Sequence, residues 1–261
     1  MSHLETWTFE GTPLRVEPSP RRVRVRLGDE TIAGSERAML MVWYGPGRLP
    51  TYCLPAADVR TEMLSPSPPA PGDDPMLVPH DVRTPGGRTA ERAALLLHDP
   101  PGALAAVDGL WTFTWDGAVT WLEEATEVHV HARDPQHRVD VVPSDRHVRV
   151  EVGGQVVAES HRPHALFETT LPTRWYLPAE DVDRSLLVPS DTSSTCPFKG
   201  TARYWSIRVG DDLHEDLAWS YPDPIPECPG VTGLVCFFNE RVDTTVDGRL
   251  VPRPRTPWSP D

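Results

Sequence analysis

The strongest constraint on this chain is that its sequence is written twice. Pro18-Ser19-Pro20-Arg21-Arg22-Val23-Arg24-Val25 returns 125 residues later as Pro143-Ser144-Asp145-Arg146-His147-Val148-Arg149-Val150. The same offset pairs Gly28 with Gly153, Ala33 with Ala158, Ser35 with Ser160 and Arg37 with Arg162. Leu54-Pro55-Ala56-Ala57-Asp58-Val59 returns as Leu177-Pro178-Ala179-Glu180-Asp181-Val182, and Gly109, Leu110 and Phe113 as Gly233, Leu234 and Phe237. Three blocks in order, at nearly constant offset, mark a tandem duplication. The 261 residues then read as two domains of ordinary size. We expect an N-terminal tail over 1–16, a degenerate first domain over 17–135, an intact second domain over 140–248 and a C-terminal tail over 249–261. Both tails are expected on the surface.

Each copy opens as a strand. Val148, Val150 and Val152 alternate with Arg149 and Glu151, the period of a half-buried β-strand. Gly153-Gly154 supplies a two-residue hairpin turn, and Val156 and Val157 begin the return strand. Ala202–Val209 is strand-like and aromatic, Gly210-Asp211-Asp212 its turn, and Leu213–Ser220 its partner. Gly233–Phe238 is a fifth apolar segment, buried on both faces or briefly helical. The 30 prolines and 18 glycines exclude long helices. The expected fold is mainly β: two tandem domains of antiparallel strands with few short helices. The copies part between Leu64 and Arg92. There the first carries a Pro-rich loop over 65–75, where the second has its densest motif, Thr195-Cys196-Pro197-Phe198-Lys199-Gly200.

Net charge is −13, with a sequence pI near 5.2. Such a field repels nucleic acid and anionic membranes, so neither is an expected partner. No apolar run reaches the length of a membrane helix and the N-terminus lacks an apolar signal core, so a cytoplasmic location is expected. Cys53, Cys196, Cys228 and Cys236 show no C-x-x-C spacing, so neither a zinc site nor a disulfide is expected, and free, partly buried thiols are the ordinary reading for three of them. Lys199 is the single lysine among 25 basic residues, a hint that an amine is wanted there.

The second copy resembles domain-of-unknown-function family 427, as a tandem pair with a degenerate first copy. The resemblance rests on Ser144–Val150, Glu168, Trp175–Val182, Thr195–Ser206, Ala218–Pro222 and Gly233–Phe237. It implies a β-tent domain, in which antiparallel sheets lean together over a cleft. Relatives of that fold include zinc modules and methionine sulfoxide reductases, but their zinc cysteines are absent here. A nucleotidyltransferase-like label attached to the family finds no motif to support it: there is no Gly-Ser leading into Asp-x-Asp and no Lys-x-Asp-Gly. The resemblance also marks the family as bacterial and fungal.

A lysine near a thiol stabilises the thiolate, so Cys196 and Lys199, assisted by Glu168, are candidate catalytic groups. The alternative for Cys196 is a small apolar side chain turned inward in a rigid turn. Thr195, Lys199, Gly200, Tyr204, Trp205, Trp219, Tyr221 and Tyr176 are candidate ligand-binding residues. Together they would make an aromatic pocket with one positive group, suited to a small planar or anionic molecule. Core packing of the rings is the competing reading, and a surface ion pair competes for Glu168 beside Arg174 and Asp181. Asp211, Asp212, Glu215 and Asp216 read as a solvated turn rather than a magnesium site. His129 and His131 offer two metal ligands without a third. No metal and no cofactor are expected. Three functions stay open: a small-molecule-binding module, an enzyme using Cys196 and Lys199, and an interaction scaffold. The degenerate copy is expected to stand in for the second subunit of a dimer, giving a monomer with pseudo-two-fold symmetry; a homodimer is the alternative.

Overall fold

The computed structural model describes residues 13–44 and 48–260. They divide into two compact units, 13–134 and 135–260. Most of the N-terminal tail expected over 1–16 lies outside the described residues. Its last two positions, Arg15 and Val16, already belong to a strand.

The first unit runs β1 (Arg15–Pro18), β2 (Val23–Leu27), β3 (Glu30–Ser35), β4 (Met39–Val42), β5 (Thr51–Cys53), β6 (Leu64–Pro66), β7 (Leu77–Arg83), β8 (Thr89–Leu97), β9 (Trp111–Phe113), β10 (Thr120–Glu123) and β11 (Thr126–Val128). The second repeats this order: β12 (Val139–Pro143), β13 (Val148–Val152), β14 (Gln155–Ser160), β15 (His164–Glu168), β16 (Arg174–Pro178), β17 (Leu187–Cys196), β18 (Gly200–Val209), β19 (Asp212–Ser220), β20 (Leu234–Phe237), β21 (Asp243–Val246) and β22 (Arg249–Val251). The helical content of the described residues is short 3-10 turns. Among them no helix is long and apolar enough to cross a membrane.

In the second unit a seven-stranded sheet, β12-β15-β16-β20-β19-β18-β17, faces a four-stranded one, β14-β13-β21-β22. All their named pairings are antiparallel. The first unit has the same order, with the large sheet split into β1-β4-β5 and β6-β7-β8-β9 and bridged at Leu54 and Trp111. The duplication reaches individual hydrogen bonds. The ladder slips between Val25 and Arg26 in one unit and between Val150 and Glu151 in the other. Ser35 donates to Asp58 at 2.7 Å and Ser160 to Asp181 at 2.7 Å, and Arg37 and Arg162 pair with the same two carboxylates. These are the residues that recur in the sequence. Each network ties the end of a hairpin to the first 3-10 turn, which is a physical reason for both blocks to persist.

Gly153 and Gly154 take φ of +56° and +80°, the left-handed pair that a tight hairpin requires. The apolar face of β13 (Val148, Val150, Val152) packs against Leu177, Ile207, Ala218, Val235 and Phe237 of the large sheet. The opposite face of the large sheet carries Leu166, Tyr176, Ala202, Trp219 and Cys236, closed over by Tyr221, Cys228 and Val231 from the segment joining β19 to β20. The fifth apolar segment is a strand, β20, every residue of which is buried. The C-terminal tail is tied down at several points. β22 pairs with β21, Arg253 bonds Asp243, and Thr256 donates to the buried Glu240 at 2.7 Å.

Candidate functional site

Lys199 ends the turn between β17 and β18. Its N–H donates to the Cys196 carbonyl at 3.3 Å, and its own carbonyl accepts from Ile225 N–H at 3.1 Å. Gly200 then takes φ +103° and passes so close to the next segment that a Cβ would sit 3.2 Å from the Asp223 carbonyl oxygen. Glycine is therefore required there by both space and backbone. The turn sends the lysine inward, where its ammonium donates to both Glu168 oxygens, at 2.6 and 2.5 Å. His137 Nε2 lies 3.1 Å from Glu168 Oε1, and its ring stacks on Phe198 at 4.2 Å. An ionised carboxylate only accepts, so that nitrogen carries the proton. The three side chains are only 5–9% exposed.

Burial alone would raise the Glu168 carboxyl; the Lys199 charge and the His137 hydrogen bond outweigh it and hold the group at about 2. Burial would likewise strip the Lys199 proton, but Glu168 more than reverses this and the ammonium stays charged well above its usual range. Tyr221 and Cys228 beside them are pushed up by burial, Cys228 to about 11, with Lys199 opposing. The amine is thus held as a cation against the two Glu168 oxygens. Cys196 is half-buried, and its sulfur accepts from the Phe198 N–H at 3.5 Å.

Strand alternation sorts the remaining candidates. Tyr204 pairs with Trp219 and Trp219 with Cys236, so these side chains share the face of Tyr176, Tyr221 and Glu168. Trp219 Nε1 donates to the Tyr176 hydroxyl at 3.1 Å, and Phe238 lies against both Trp219 and Tyr204. Trp205 points the other way, toward the core shared with β13. Thr195 bonds Thr201 on that second face as well. The expected convergence of Trp205 and Thr195 with Lys199 therefore does not occur.

Other carboxylates are also redistributed. Arg174 is buried, but its partner is Glu240, at 2.5 and 2.6 Å, rather than Glu168 or Asp181. Trp219, Phe238 and Trp258 surround that guanidinium at 5.6 to 5.9 Å. Among the described residues no group of three histidine, cysteine or carboxylate side chains is placed to hold a metal.

Trp205 instead lines a groove of about 330 Å³ with Ala179, Arg184, Leu187, Ser220, Gly233, Leu234 and Val235. Ser220, Leu234 and Val235 are buried and form its floor, while Arg184 is exposed at the rim. Among the described residues no carboxylate lies within ion-pair range of Arg184. Arg203, on the same face as Trp205 and paired across the ladder with Ser220, likewise has no carboxylate in ion-pair range among the described residues. Sequence reasoning missed Arg184, which carries no motif, Ser220, which lies in the Ala218–Pro222 block but was not singled out, and His137, which lies in the polar connection ahead of the second copy.

The first unit shows what the fold needs without these groups. At equivalent ladder positions Cys53 stands for Tyr176, Leu97 for Tyr221 and Trp43 for Glu168, and the region is closed by Met41, Met76, Leu97 and Leu104. At the groove, Leu96 stands for Ser220, Thr61 for Arg184 and His80 for Trp205. Trp111 replaces Val235, with its ring against His80 at 4.8 Å.

Fold and site define a duplicated all-β protein whose C-terminal unit carries the Lys199–Glu168–His137 cluster and the Trp205 groove. The family model described as a domain of unknown function, DUF427, matches residues 15–124 and again 140–248, so the chain belongs to that family as two tandem copies. No curated protein matches the chain.

Proposed function

We propose that the C-terminal unit binds a small planar or anionic molecule, and that the Trp205 groove receives it. The observation that carries this reading is the groove itself. It combines an indole, apolar walls, a buried hydroxyl and an unneutralised guanidinium, the composition of a small-ligand site. The Lys199 cluster is less suited to the task, because its ammonium is already satisfied by Glu168. Its role in this reading is to fix the β17–β18 hairpin from which Trp205 projects.

Indole is a suitable probe, as a neutral planar ring. Saturation-transfer NMR on the full chain should detect indole binding with a Kd of about 1 mM, the affinity of a few kcal/mol expected for one ring. Val235→Trp copies the first unit's Trp111 into the groove and should abolish the signal. Equal transfer in the variant and in the parent chain would refute the groove as the site.

A further inference from the structure

Resting on that reading, we propose that the groove's ligand is an aromatic carboxylate, held by a fork from Arg184 with its ring against Trp205. Arg37, Arg162, Arg146 and Arg253 each have a carboxylate partner between 2.7 and 3.2 Å. Arg184 does not, although an acid sits immediately before it. Asp183 is turned away, accepting from Ser185 N–H at 3.0 Å and from its hydroxyl at 2.6 Å, and so capping the 3-10 turn Arg184–Leu186. The turn thereby presents Arg184 at the rim with the adjacent Asp183 carboxylate already occupied.

The walls decide what kind of anion fits. Ala179, Leu187, Leu234 and Val235 are apolar, and Gly233 adds no side chain, with nothing within 4 Å of where a Cβ would stand. A dianion or a chain of phosphates would bring charge against these walls without donors to meet it. A single carboxylate on a flat ring satisfies both ends. The planar guanidinium bonds both carboxylate oxygens, and the ring lies on the indole. Ser220 on the floor is left to bond a polar substituent on the ring's far edge. Arg203 adds to the positive field beside the groove without lining it. The first unit has threonine in place of Arg184 and leucine in place of Ser220, so this chemistry belongs to the second copy.

The test compares indole-3-carboxylate with its neutral isostere indole-3-carboxamide on the full chain, by ligand-observed NMR at low ionic strength. The carboxylate should bind about fivefold tighter, as expected for an exposed charge-assisted contact. That preference should fade as salt is raised. In Arg184→Gln the two compounds should bind alike. Equal affinity of carboxylate and carboxamide in the parent chain, or a preference that survives Arg184→Gln, would overturn the proposal. If indole binds and no preference is seen, only the ligand class fails; if indole does not bind, the groove reading fails first.

Discussion

Replacing one member of the Lys199–Glu168 pair should cost far more than replacing both. Both groups are nearly enclosed, and the ammonium sits 2.5–2.6 Å from the two carboxylate oxygens. Glu168→Leu leaves a buried ammonium without its counter-charge, and Lys199→Met leaves a buried carboxylate with only His137. Either change should destabilise the second unit by about 3–5 kcal/mol, the penalty of an uncompensated buried charge. The double change Glu168→Leu with Lys199→Met removes both desolvation costs. It also approaches the arrangement of the first unit, where Met76, Met41 and Leu97 close the same region. It should therefore cost about 1 kcal/mol or less, giving a coupling energy of several kcal/mol in the cycle. On a domain of this size the single changes should lower the thermal midpoint of the second unit by about 10–20 °C and the double change by a few degrees. Urea unfolding of the four proteins, followed by tryptophan fluorescence, measures each arm. Additive single effects, with the double variant as unstable as their sum, would refute the pairing.

Glu168 is depressed below an ordinary glutamate, so its contribution is present above about pH 4.5 and is lost as pH falls toward about 2. Lys199 is raised, so its contribution is complete below about pH 10 and is lost only at more alkaline pH. Acid unfolding should accordingly steepen below pH 4.5 in the parent chain, and Glu168→Gln should flatten that slope. Burial pushes Cys53 and Cys236 to about 12 and Cys228 to about 11. Cys196 alone among the cysteines is half-exposed, so a thiol reagent at pH 8 should count one reactive group in the native chain and four after denaturation. Gly200→Ala should destabilise the chain by about 2 kcal/mol through its positive φ and the Asp223 carbonyl, read as a lower urea midpoint. Thr256→Val removes the tail's hydrogen bond to Glu240 and should cost about 1 kcal/mol while increasing amide exchange over 252–260.

The architecture was legible because duplication and alternation are local in sequence. Val148, Val150 and Val152 announce their own strand, and the Ser-and-Arg block at each hairpin end recurs because the network it makes with Asp58 or Asp181 recurs. The inward turn of Lys199 toward Glu168 was partly legible, since a single lysine followed by Gly200 already marked an unusual turn. The partners of buried charges were not. His137 meets Glu168 across 31 residues and Glu240 meets Arg174 across 66, and His137 and Glu240 come from loop positions with no periodicity to betray them. Alternation alone separates Tyr204 from Trp205, so grouping both rings in one pocket required a convergence the pleat does not permit. The groove escaped notice because its depth depends on a small side chain, Val235, where the first copy has Trp111.

The central claim is that Trp205 lines a site open to ligand while the tryptophan of the opposite face, Trp219, is held in packing. The indole N–H resonances of the nine tryptophans, read in a proton–nitrogen correlation spectrum during titration with indole-3-carboxylate, address it directly. The account predicts that the Trp205 signal moves progressively to saturation while the Trp219 signal, hydrogen-bonded to Tyr176, stays fixed. A stationary Trp205 with movement at Trp219, or no movement at either, would contradict it.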